Sequence, residues 1–179
     1  MKIAFIMKNL KKLFILCLFL LGIFFFRGFV YRSFFKYESV GTRGIFVIEE
    51  FDKDKFKSEN IDDIINHSLE KASENLEFKL YNPGKFLQTG KANCVGYSDY
   101  FSSYVFHLLL INDLDKDWKV HHEIGKLKVF GVNIHHFFNS NSFKDHDFVI
   151  IENVKTGEIL AVDPSVYDYF KIDRISLNK

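Results

Sequence analysis

The chain has 179 residues, a formal net charge of +1 and a hydrophobic fraction of 47%, which suits one globular domain and leaves no acidic or basic tail. Its Lys and Arg are spread out, with no basic stripe interleaved with aromatics, so nucleic acid is not indicated as a partner. Of the 2 cysteines, Cys17 lies in an apolar N-terminal run. Cys94 is then the sole thiol of the remainder, and neither an intradomain disulfide nor a Cys-rich zinc site can form.

Lys2, Lys8, Lys11 and Lys12 make a basic start, followed by residues 13–26 without a charge or a strongly polar group. Arg27 interrupts, and the apolar character resumes to Tyr31. The 13–31 stretch is close to the roughly 20 residues that cross a hydrocarbon layer, with Arg27 near one end where it can snorkel. The reading adopted is a single-pass, uncleaved membrane anchor within residues 1–35, ahead of a domain over residues 36–179. A cleaved signal is the alternative, but Arg27-Gly-Phe-Val30 offers no small-x-small site. Basic residues flank the run on both sides. A basic N-terminus inside with the domain extracytoplasmic is the orientation adopted.

About 145 residues then remain, enough for one core. Residues 44–51, with Ile45, Phe46, Val47 and Ile48, predict a short strand. Ser58 is a helix-capping type, and Ile61, Ile64, Ile65, Leu69, Ala72 and Leu76 recur at helical spacing, predicting a helix over 59–76. Residues 81–93 read as a loop, with Asn82-Pro-Gly84 and Thr89-Gly90 as breakers. A second helix is predicted over 94–111. Beyond it the period changes, and 118–131, 146–151 and 158–162 read as strands, with a turn at 153–157. Gly125 suggests a bulge or a close approach. Helices first and an antiparallel sheet after indicate α+β. The 22 Phe match the Lys, Ile and Asn richness of an A/T-rich coding bias, and buried aromatics account for them as core.

Three places concentrate chemistry. Cys94 falls where a loop meets a helix N-terminus, a position at which first-turn N–H groups stabilise negative charge. His146 opens one strand of the predicted hairpin and Asp163 closes the other, so antiparallel pairing sets them side by side. A carboxylate can then hold an imidazole that faces a thiol. Asp147 is poorly placed as that carboxylate, because adjacent strand residues point to opposite faces. His121-His122 and His135-His136 raise a metal hypothesis, but neighbours on a strand diverge, and no metal or other cofactor is assigned.

Lys91-Ala-Asn-Cys94-Val-Gly-Tyr-Ser98, then an apolar helix, resembles the cysteine segment of transglutaminase-like domains. His146-Asp-Phe-Val-Ile-Ile resembles their histidine strand, and Leu160-Ala-Val-Asp163-Pro-Ser165 their aspartate segment. The resemblance covers residues 90–169. It implies a papain-like fold, with helices packed on an antiparallel sheet, and a Cys94–His146–Asp163 triad. It also implies a thioester formed on a peptide-type amide, resolved by water or by a primary amine, with a peptide or protein as substrate. Phe148 stands where that family often has Trp. An oxyanion donor is required as well. The Cys94 backbone N–H is one candidate, and Gln88, six residues earlier as in papain-like peptidases, is another; Asn93 is a lesser one. The competing function is a catalytically idle module on the same fold, docking a protein or peptide at the membrane.

Overall fold

The computed structural model describes residues 2–46, 48, 51, 55–80, 86–140 and 143–178, of which 2–11 are described as backbone only. Helix α1 (Lys2–Phe25) ends in a break at Phe26, and α2 (Arg27–Phe34) leads directly into strand β1 (Phe35–Arg43). Then come α3 (Ile61–Asn75), β2 (Glu77–Phe78), the short α4 (Phe86–Thr89), β3 (Lys91–Ala92) and α5 (Cys94–Ile111). The rest is mostly sheet: β4 (Trp118–Val129), β5 (Val132–Asn133), a 3-10 turn (Ile134–Phe137), β6 (His146–Asn153) and β7 (Ile159–Val162), closed by α6 (Pro164–Phe170).

The main sheet runs β1-β4-β6-β7, with β5 beside the end of β4, and every pairing in it is antiparallel. The predicted α+β class is what is observed. The Cys94–Ile111 helix and the β6–β7 hairpin stand where the periodicity put them. Asn153 accepts from the backbone N–H groups of Lys155 and Thr156, and Gly157 takes a φ of 73°, the left-handed conformation that closes this turn. Helix α3 is shorter than expected, because Asn60 rather than Ser58 caps it, accepting from Asp62 N–H.

One face of the sheet carries the larger core. Helix α5 is apolar on nearly every side because it is buried between the sheet and α3. Phe101, Val105 and Leu108 of α5 meet Ile64, Ile65 and Leu69 of α3, and Val149, Ile151 and Val162 of the sheet, all fully buried. Each such side chain contributes about 1.5–3 kcal/mol by leaving water. The opposite face carries a smaller cluster of Tyr37, Phe148, Ala161 and Ile175, flanked by Tyr31 of α2 and Leu177. The C-terminal segment returns to cover it, with Ile175 N–H donating to the Ala161 carbonyl and Asn178 N–H to that of Tyr37.

Three expectations change; within the predicted 81–93 loop, Phe86–Thr89 is the short helix α4 and Lys91–Ala92 the strand β3. The strand predicted at 44–51 lies one segment too late. The strand is Phe35–Arg43, and the described residues of 44–51 are outside any strand; Val47, Glu49 and Glu50 lie outside the described residues, as does Asn82-Pro83-Gly84 of the predicted 81–93 loop. The single apolar run at 13–31 is broken in two. Among the described residues no single helix is long and apolar enough to cross a membrane, and α1 and α2 meet that requirement only as a pair bent by 75°. Helix α2 packs beside β1, and its Tyr31 packs against the smaller core. Arg27, expected at a headgroup layer, donates from Nε to the Phe170 carbonyl at 2.6 Å, and Tyr31 stacks on Phe35. The residues of α1 from Leu13 to Phe25 project outward and are largely exposed.

Gly125 is a close-approach position. A Cβ there would overlap the Phe148 ring, and its partner strand β1 bulges between Ser39 and Gly41 directly across from it.

Candidate functional site

Cys94 is the first residue of α5. Asn93 caps the helix in extended conformation, its side-chain oxygen accepting from Gly96 N–H at 3.3 Å. Gly96 fits because a Cβ would meet that of Ala92 at 2.8 Å. The first turn is held from behind by Tyr97, whose buried hydroxyl lies 2.9 Å from the Leu76 carbonyl and 2.7 Å from Asp168 Oδ2 and shares its one proton between them. Ser73 Oγ donates to the other Asp168 oxygen at 2.6 Å. One phenol thus ties α3, α5 and α6 together, and so sets the thiol's helix against the helix that Asp163 caps.

His146 starts β6 and Asp163 follows β7, and the hairpin brings them together. His146 Nε2 lies 2.6 Å from Asp163 Oδ2. Cys94 lines the same pocket as this imidazole and acts on it electrostatically. With Nε2 committed to Asp163, Nδ1 is the nitrogen left for the sulfur. Burial disfavours the imidazolium, but the Asp163 charge and hydrogen bond, joined by Cys94, override it and raise the His146 pKa well above the usual histidine range.

Asp163 is fully buried and caps α6. Its Oδ1 accepts from Ser165 N–H at 3.0 Å, Ser165 Oγ at 2.7 Å and Val166 N–H at 3.1 Å. Its Oδ2 accepts from the Tyr37 hydroxyl at 2.7 Å as well as from His146. Burial alone would raise its pKa, but His146 first, then Ser165 and Tyr37, bring it below the ordinary carboxylate value. The Pro164 that follows suits the first helical turn, where an N–H would lack a partner.

Cys94 and His146 both line a pocket of about 220 Å³. Its walls are mostly apolar: Phe78, Leu80, Leu127, Ile134, Phe138 and Phe143. Its polar rim is Asn93, His135 and Asp145. His135 Nδ1 sits 2.7 Å from the Phe143 carbonyl, so it carries the proton and leaves Nε2 as an acceptor. Burial, against that carbonyl, lowers the His135 pKa and keeps the ring neutral. Gln88 is exposed on α4 and is not part of this pocket wall, whereas Asn93 is.

Asp147 takes no part in holding His146, as strand alternation predicts. It is buried on the opposite face, 2.7 Å from His122 Nε2 and 2.5 Å from Arg43 Nε. His122 Nδ1 in turn lies 2.9 Å from Asp99 Oδ1 of α5. Burial opposes a charged His122, but Asp147 and Asp99 raise its pKa, giving an alternating Arg43–Asp147–His122–Asp99 row between helix and sheet. His121 points away toward Glu152, so the paired histidines diverge. Among the described residues, no group of three or more His, Cys, Asp or Glu side chains is arranged to hold a metal ion.

Sequence reading missed this row, because its four members come from three strands and a helix. It also missed Tyr37, 126 positions from Asp163; no local pattern marks that tyrosine.

No family model matches the chain, and neither curated proteins nor solved structures yield a match.

Proposed function

We propose that this protein is a membrane-tethered, cysteine-dependent acyl-transfer enzyme or hydrolase of the transglutaminase-like, papain-like kind, acting on peptide-type amides. The observation that supports it best is the Cys94 helix tip and the Asp163-held His146 meeting at one pocket. The Cys94 sulfur, at the positive end of α5, attacks the amide carbonyl carbon, and the C–O electron pair moves onto oxygen. Collapse breaks the C–N bond, with His146 giving its proton to the departing amine. The resulting thioester is attacked by water or by a primary amine, which passes a proton to His146, and the C–S bond breaks to release Cys94. Asp163 keeps the imidazole in one tautomer and orientation throughout. The Cys94 backbone N–H and the side-chain amide of Asn93, which lines the same pocket, are the donors assigned to the oxyanion.

The mostly apolar walls favour an acyl donor with an aliphatic or aromatic side chain, since a charged one would lose its hydration against Phe78, Leu80, Leu127, Ile134, Phe138 and Phe143. Helix α1 supplies the membrane attachment. Its exposed apolar stretch, Leu13 to Phe25, is 13 residues and at about 1.5 Å each rises about 20 Å, short of the roughly 30 Å hydrocarbon layer, which suits a shallow or locally thinned insertion.

The test uses the full chain in detergent with Cys17→Ser, leaving Cys94 as the single thiol. An alkylating probe labels Cys94 much faster than the same thiol in denaturant, and a peptidyl amide with an apolar acyl side chain gives a hydroxylamine-sensitive adduct. Equal, slow labelling in folded and denatured protein, with no adduct, would establish the idle docking module instead.

A further inference from the structure

A chain of two phenols runs from the membrane-proximal helix to the site. Tyr37 of β1 is fully buried, and its ring lies 5.8 Å from that of His146 and 5.3 Å from that of Phe148. Its hydroxyl donates to Asp163 Oδ2 at 2.7 Å. Having given its one proton there, that oxygen can only accept from its next neighbour, the Tyr31 hydroxyl of α2 at 2.5 Å. The direction of the chain is therefore settled: Tyr31 to Tyr37 to Asp163. Burial first, then the Asp163 charge, push the Tyr37 pKa up, so it remains a protonated donor. Helix α2 also grips the far end of α6 through Arg27 and the Phe170 carbonyl, while Asp163 caps the near end.

We propose that Tyr37 and Tyr31 are positioning residues that set how strongly Asp163 holds the His146 proton, so that docking of α2, the element next to the apolar α1, is coupled to the Cys94 site. This rests on the triad reading above. The physical reason is competition at one oxygen. Asp163 Oδ2 is shared between Tyr37 and His146, and each hydrogen bond it accepts withdraws charge that the other would use. Oδ1 is pinned separately by Ser165 and Val166, so losing the Tyr37 donor leaves the carboxylate in place. With the competitor gone, Asp163 binds the imidazolium more tightly. The other ionisable groups around His146 are Cys94 of α5 and, in the same pocket lining, His135 of the 3-10 turn and Asp145, with Lys126 acting on His135; these substitutions leave all of them intact.

The experiment is the pH dependence of Cys94 alkylation by iodoacetamide in the full Cys17→Ser chain, compared with Tyr37→Phe and Tyr31→Phe. Both changes keep the ring and remove one hydroxyl, and near-UV circular dichroism checks the packing. Tyr37→Phe is expected to move the alkaline limb of the profile upward by roughly half to one pH unit, the size of one hydrogen bond. Tyr31→Phe moves it the same way by less, because it acts through Tyr37. An unchanged limb in a natively packed Tyr37→Phe protein overturns the proposal. If Tyr37→Phe loses native packing, Tyr31→Phe decides in the same way. A parent chain whose Cys94 reacts no faster than a free thiol at any pH defeats the triad reading, and this proposal falls with it.

Discussion

Replacing Asp147 with Asn tests whether the buried charge row holds α5, and with it Cys94, against the sheet. The substitution keeps the side-chain shape but removes the negative charge between Arg43 and His122. The Arg43 side chain is 36% exposed, so most of its attraction is screened and it can turn to water. His122 cannot, because its side chain is 0% exposed and it is left with Asp99 alone. The loss is one charge-assisted hydrogen bond between buried groups plus a stranded imidazolium, together about 3 kcal/mol. For a domain of about 145 residues that lowers Tm by roughly 6–12 °C. The deficit depends on pH with a definite sign. His122 has its pKa raised in the folded state, so its contribution is complete below the unfolded value near 6.5 and fades as pH climbs through the folded value. Asp147 has its pKa lowered, first against burial and then by His122 and Arg43, so its contribution is complete above the unfolded value of 3.8 and fades as pH falls through the folded one. The Tm difference between parent and Asp147→Asn is therefore widest at about pH 4–6.5 and narrows on both sides. Thermal melts by circular dichroism from pH 3 to 9 measure it. A difference under 2 °C that stays flat across that range would refute the reasoning.

The site makes further measurable demands. His146→Ala removes the alkylation advantage of Cys94, and its rate in the Cys17→Ser background should fall to that of the denatured chain. Asp163→Asn lowers the alkaline limb of that profile, since the charge that raises the His146 pKa is gone, and the peptidyl-amide rate drops by at least tenfold. Asn93→Ala slows acylation more than Gln88→Ala, which leaves kcat/KM within about twofold, because only Asn93 borders the pocket. Gly125→Val lowers stability by about 1–3 kcal/mol in urea unfolding, its branched side chain driven into the Phe148 ring.

Much of the architecture could be read along the chain, because it rests on short-range pattern. The i, i+3, i+4 spacing of Ile61, Ile64, Ile65 and Leu69 marks α3, and the Asn153–Gly157 turn forces the two strands around it to pair. That hairpin is also why His146 and Asp163 could be paired without coordinates, since antiparallel register converts 17 positions into a hydrogen bond. The β1 strand escaped notice because its burial is irregular. The bulge near Val40 breaks the alternation, and Lys36, Glu38 and Arg43 hide an edge strand among charges.

Residue order and type alone determined the helix and hairpin periods, the single thiol of the folded part, and a carboxylate beside an imidazole. What waited for the tertiary structure was every relation between segments distant along the chain. These are the break at Phe26 that turns α2 back onto the domain, the Tyr31–Tyr37 chain into Asp163, the Arg43–Asp147–His122–Asp99 row, and the apolar pocket around Cys94. Local propensity acts over a few residues. Such contacts form only when packing removes water from surfaces joined by long loops, so no window along the chain contains them.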